Sequence, residues 1–265
     1  MLNLRFIFNR TIFIFYCFFI ITSCDDIPRD NPLDPKNPAS YRSRIVFVEA
    51  FVNTNPVLAD SLPLNQYMLS ALNQFEDRHE NKVVIAEYHR GSYSDSLARP
   101  EFDLLYDKYL NGLSSSLRGV PDVFLNSTLA RITGASSVET ALTRLETAFE
   151  SFSTAISEFT LEPEIIKTDS QVEIEVEIAK LGNSDAEDIV MKAVLIEDLR
   201  TPYLQRVARK LWDPEIIPSL PNGETRTVTF SAIPIKRDAD RFVIITVSSE
   251  DELEIYQAIE VGLDE

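Results

Sequence analysis

The sequence predicts two folded parts in series: an α/β domain over residues 43–157 and an all-β sandwich of immunoglobulin type over residues 158–265. Three observations predict it. Apolar, β-branched runs alternate with segments of helical period before residue 157. Near Phe159 the apolar period becomes two, as Val172, Ile174, Val176 and Ile178 alternate with Glu173, Glu175 and Glu177. Six or seven short strand candidates fill the rest of the chain, which suits two stacked antiparallel sheets.

In the first part, residues 44–52 and 82–88 read as buried strands because both are nearly unbroken apolar runs. Residues 61–78 read as a helix capped by Ser61, with Pro63 in its first turn and Leu64, Met68, Leu72 and Phe75 on one face. Residues 101–110 form a second helix on the stripe Phe102, Leu105, Tyr106, Tyr109. Short strands follow at 122–125 and 129–133. The third helix, 136–156, carries a capping box from Ser136 and Glu139 and an apolar stripe of Val138, Leu142, Leu145, Phe149 and Phe152. In the second part, strands are expected at 159–166, 172–178, 189–197, 225–232, 242–248 and 255–261. Pro221-Asn222-Gly223 is a turn, since proline fixes one φ and glycine permits a positive one.

Ahead of the folded parts, Arg5 and Arg10 precede an apolar run too short to span a bilayer, which takes about 20 residues. The small residues that follow end at Ile21-Thr22-Ser23-Cys24, and the layout resembles a bacterial lipoprotein signal. It implies a cleaved leader at 1–23, a fatty-acylated Cys24 and a lipid-anchored outer-membrane protein. Whether its body faces the periplasm or the cell surface stays open at this point. Residues 24–42 carry Pro28, Pro32, Pro35 and Pro38 and read as a semi-rigid tether. The other cysteine, Cys17, lies in the leader, so the processed chain would have no free thiol and no disulfide.

Losing a leader with two arginines and no acid takes the net charge from −17 to −19. Such a balance repels nucleic acid and anionic head groups. Seven glycines leave no phosphate-cradling loop, and no Gly-x-Ser-x-Gly elbow is present. With His79 and His89 the only histidines, no metal or cofactor is expected. His89 ends a strand near Asp95 and Asp103, and a structural or surface role is expected, with little loss of stability on replacement by alanine. Arg200, Arg206 and Arg209 cluster with Trp212, the only tryptophan. Arginine beside aromatics is common at hot spots, so these residues are the candidate partner contact, with intrachain neutralisation and a core tryptophan as the alternative.

Three stretches carry a wider resemblance: Arg44-Ile45-Val46-Phe47-Val48-Glu49-Ala50-Phe51, then Val83-Val84-Ile85-Ala86-Glu87-Tyr88-His89, then Gly119-Val120-Pro121. Their order resembles a family of bacterial outer-membrane lipoproteins, related to a twenty-eight-kilodalton outer-membrane protein, that join a thioredoxin-like domain to a C-terminal Ig-like sandwich. The resemblance implies that Gly119, Val120 and Pro121 form a cis-proline loop, whose backbone could pair with an extended strand. It places a Cys-x-x-Cys-Pro motif at the end of the first strand. Here Val52 and Asn55 stand at the cysteine places and Pro56 at the proline. Neither residue forms a thiolate, so thiol–disulfide exchange is excluded. The expected function is therefore a non-enzymatic binding or assembly module that contacts an envelope protein or peptide. An enzyme using other residues of the same cleft, or a structural lipoprotein without a ligand, are the alternatives.

Overall fold

The computed structural model describes residues 42–55, 62–91, 94–111, 113, 117–235 and 240–263. The leader, Cys24, most of the tether, Pro56 and the Ser61 cap lie outside them. The described fold is β-rich, with three helices.

Strand β2 (Val46–Val52) pairs in parallel with β3 (Val83–His89), from Val46 opposite Val83 to Val52 opposite His89, and both are buried at every position. Helix α1 (Leu62–Arg78) makes the crossover that parallel strands require. Strands β4 (Asp122–Leu125) and β5 (Ala130–Thr133) extend the sheet antiparallel beside β2. Because side chains alternate along β2, Val46, Val48, Ala50 and Val52 pack under α1 and α3 (Val138–Glu150). Phe47 and Phe51 pack on the other face under α2 (Pro100–Asn111).

Helix α3 starts later than its capping box suggests. Ser137, not Ser136, is the cap: its backbone is extended and its Oγ accepts the Thr140 N–H at 3.2 Å. It also ends earlier, because Ile156 and Ser157 form β6, which pairs with β1 (Arg42–Ser43).

In the second part, β7 (Phe159–Lys167), β8 (Gln171–Lys180) and β12 (Thr225–Pro234) make a three-stranded antiparallel sheet. It faces β9 (Ala186–Asp198), β11 (Glu215–Leu220), β13 (Asp240–Ser248) and β14 (Ile255–Gly262) across one core. The expected turn at 221–223 joins β11 to β12, with Gly223 at φ 73°.

Besides the two-residue β1 and β6, two longer strands were not expected, β10 (Val207–Leu211) and β11. A register shift around Arg209 hides the alternation of β10, and Pro218 interrupts β11, tolerated because that strand pairs only with β9. Strand β10 decides the architecture. It pairs antiparallel with β9 and meets β3 in parallel, Val207 opposite Glu87, with the Glu87 N–H donating to the Arg206 carbonyl at 2.8 Å. The sheets of the two parts thereby become one nine-stranded sheet in the order β14-β13-β9-β10-β3-β2-β4-β5, with β11 beside β9.

A hydrophobic cluster forms under this seam. Phe47, Tyr88, Phe102 and Tyr106 from the first part pack with Val194, Ile196, Ala208, Ile244 and Ala258 from the second. Strands β9 and β13 are thus buried on both faces, one toward the sandwich core and one toward α2. Gln257 adds a polar tie, accepting the Ile45 N–H at 2.8 Å and donating to the Ser43 carbonyl at 3.1 Å.

Candidate functional site

Two places gather chemistry-bearing groups. The first is the end of β2 and β3, where the resemblance puts a redox motif. Val52 is fully buried, and its carbonyl accepts the Arg90 N–H. Beyond it the asparagine side chains bind backbone groups. Asn65 Oδ1 takes the Asn53 N–H, Asn53 Oδ1 takes the Asn55 N–H, and Asn55 Nδ2 donates to the Ser94 carbonyl.

His89 is fully buried here, its Nδ1 3.0 Å from Asp95 Oδ2. Burial pushes the Asp95 carboxyl up, but hydrogen bonds from His89 and the backbone N–H groups of Leu97 and Thr54 outweigh it and hold it at about 2. The ionised Asp95 accepts a hydrogen bond from Nδ1–H, and Nε2 is buried without a hydrogen-bond partner. The expectation that alanine at 89 leaves stability unchanged does not survive this burial. Nor does Thr54 complete a triad, since its Oγ1 lies 3.4 Å from the same Nδ1 that serves Asp95.

The Val120–Pro121 peptide bond is cis. Gly119 N–H and carbonyl both meet the Tyr106 hydroxyl, and the Pro121 carbonyl accepts the Gly134 N–H at 2.8 Å. Asp122 is clamped by Arg131 and by Tyr106 Oη at 2.7 Å. The Gly119 N–H and carbonyl and the Pro121 carbonyl are therefore engaged inside the chain.

The arginine cluster is also engaged within the chain. Arg206 is buried and joins Glu76 and Asn73 of α1, tying β10 to the first part. Arg209 pairs with Glu197 and Arg200 with Asp240. Trp212 is 8% exposed in the sandwich core, its Nε1 donating to the Ser231 carbonyl at 3.0 Å. Arg206 and Trp212 therefore offer no open contact surface, and the intrachain alternative describes them.

The second place was not anticipated. A cavity of about 370 Å³ lies at the seam, lined by Phe47, Leu104, Leu105, Leu211, Trp212 and Ile244 on its apolar side. Its polar wall holds Glu49, Tyr109, Lys108, Lys192, Thr246, Ser248 and Glu252. Glu49, on β2, is 2% exposed and accepts the Tyr109 hydroxyl at 2.6 Å. Burial raises its pKa to about 7, with the Tyr109 hydrogen bond and the Lys192 charge opposing. Burial would also raise Glu252, but the Lys192 and Lys108 ammoniums outweigh it and hold it below the usual range. The one signal in the sequence was Glu49 itself, a lone acid inside an apolar strand. The lysines come from elements far apart in the chain, so spacing could not join them to it.

Among the described residues, no cluster of three or more His, Cys, Asp or Glu is arranged to hold a metal ion, and no helix is long and apolar enough to cross a membrane. No family model and no curated protein matches the chain. Solved structures do. HBP35 of Porphyromonas gingivalis superposes with a TM-score of 0.62 at 12% identity, over 84% of this chain and 76% of that one. Protein AGR_C_4864 of Agrobacterium tumefaciens gives a TM-score of 0.52 at 19% identity, over 83% of this chain and 95% of that one. At these identities the likeness shows a shared fold and nothing of activity. A domain of the outer-membrane lipoprotein Omp28 of P. gingivalis matches 40% of this chain and 87% of its own at a TM-score of 0.29 and 14% identity, too slight a likeness to bear on the argument.

Proposed function

We propose that this chain is a lipid-anchored protein of the bacterial outer membrane that acts as a non-catalytic binding and assembly module. On this reading its first part is a thioredoxin-like body without thiol chemistry, and its second an Ig-like sandwich fused to it through β10. One observation carries the proposal: at the end of β2 and β3, where such a body would do its chemistry, Val52 is buried and Asn53, Asn55, Asn65, His89 and Asp95 bind one another or nearby backbone. A reactive site needs a group held within reach of substrate; here the side chains are engaged within the chain, and the one atom left over, His89 Nε2, is on a fully buried ring. The lipoprotein-like stretch ending at Cys24 supports the anchor.

The test has three arms. Fatty-acid labelling of cells should mark the protein and lose the mark in Cys24→Ala. The purified protein should show no turnover in insulin reduction. Gentle solubilisation of envelopes should bring down a stoichiometric partner. A Cys24→Ala protein that still labels refutes the anchor, measurable insulin turnover refutes the loss of chemistry, and a chain that comes down alone refutes the assembly role.

A further inference from the structure

We propose that the seam cavity is a binding site for a small amphiphile with an apolar body and a single anionic head group, a medium-chain carboxylate in chemical class. The inference stands apart from the assembly role, because it concerns a different surface and a small molecule.

The apolar wall is built by both parts of the chain. Phe47, Leu104 and Leu105 face Val194, Leu211, Trp212 and Ile244. A cavity of about 370 Å³ is large beside the ~150 Å³ that holds benzene, and by that scale takes roughly a dozen heavy atoms. Sites for small ligands have this composition, mostly apolar with a few placed polar groups.

The head-group end is set by donors in excess. Lys108 Nζ lies 2.7 Å from Glu252 Oε2, and Lys192 Nζ contacts the same oxygen. Two ammoniums, with three donors each, thus share one carboxylate oxygen. An entering carboxylate accepts the donors left over; the other charged residues of the lining, Glu49, Glu101 and Asp213, are acids, so those donors and not a net positive charge hold it. Glu49 adjoins them, bound to Tyr109 and within the field of Lys192. In its protonated form it becomes a further donor toward an anion.

The arrangement is held in place at a cost. Glu252 has φ 60°, the left-handed region that a glutamate seldom adopts, and Ser127 Oγ fixes its carbonyl at 2.7 Å. At the open side, Leu104 is 71% exposed and Asp213 is exposed, so an apolar residue and an acid frame the mouth. The acid disfavours a ligand with a second negative charge.

Trp212 lines the cavity and is the only tryptophan, so its emission reports occupancy. The full chain, anchored in phosphatidylcholine vesicles, is titrated with decanoate, decylamine and decanol, with empty vesicles as the blank. Decanoate should shift the emission saturably and bind at least about tenfold more tightly than decylamine or decanol, the range of a charge-assisted hydrogen bond. Lys108→Met with Lys192→Met should weaken decanoate by about tenfold to a hundredfold. Leu104→Glu, at an exposed position, should weaken it in a chain that melts as the parent does, and serves if the lysine variant fails to fold. The proposal is overturned by an unsaturable response, by decylamine or decanol binding as tightly as decanoate, or by Leu104→Glu binding undiminished.

Discussion

Glu87→Gln should change how stability depends on pH. Glu87 lies on β3 opposite Val207 of β10, 1% exposed, with Oε2 lacking a hydrogen-bond partner. Burial raises its pKa to about 8; a hydrogen bond from the Arg206 backbone opposes this and the Asp198 charge adds to it. The folded state therefore holds a proton there that the unfolded chain releases above about 4.5. Stability linked to this group is fully present below 4.5, falls as pH rises and is lost beyond 8. The interval corresponds to on the order of 4 kcal/mol. Urea unfolding of parent and variant at steps from pH 5 to 9 measures it, because every other titrating group cancels in the difference. The parent should lose that amount relative to the variant, and most of it should be gone by pH 8. A parent–variant difference that stays constant within about 1 kcal/mol across the range refutes the reasoning.

Other substitutions test the remaining buried groups. His89→Ala should lower unfolding free energy by about 2–4 kcal/mol at pH 7, because it opens a void and strips Asp95 of a buried partner; urea denaturation reads it. Arg206→Met should cost about 3 kcal/mol by the same assay, since it leaves Glu76 without its buried cation and cuts a tie between α1 and β10. Arg200→Ala removes an exposed pair with Asp240 and should leave the midpoint where it was.

Elements were legible in the sequence where local pattern and tertiary burial agree. Strand β8 shows it best: one face meets the sandwich core and the other meets solvent, so Val172, Ile174, Val176 and Ile178 stand out against the glutamates between them. The helices were legible for the same reason, and α3 shifted by a residue at its start because Ser136 and Ser137 both suit a cap. Strands β10 and β11 were not legible. Their pattern is broken by a register shift at Arg209 and by Pro218, and both hold their places through partners far away in the chain. The polar knot around His89 was half visible. His89 and Asp95 are near in sequence, but Asn65 reaches Asn53 only because α1 starts beside the end of β2.

The seam itself left a trace that the period-two reading passed over. In β9, Ile189-Val190-Met191 and Ala193-Val194-Leu195-Ile196 are apolar on both faces, and in β13 Val243-Ile244-Ile245 repeats this. A sandwich strand with one wet face would alternate, as β8 does. An unbroken apolar run instead means that something covers the second face. In this chain the cover is α2 together with the aromatic face of β2 and β3, and the join is completed by β10. The same double burial explains why the cavity sits where it does. Lys192 interrupts the run in β9, and Thr246 and Ser248 follow the one in β13, all at the place where the two parts meet imperfectly. A polar residue inside a run buried on both faces is costly unless it has partners. Lys192 finds Glu252, Glu49 finds Tyr109, and the space left between those pairs is the cavity.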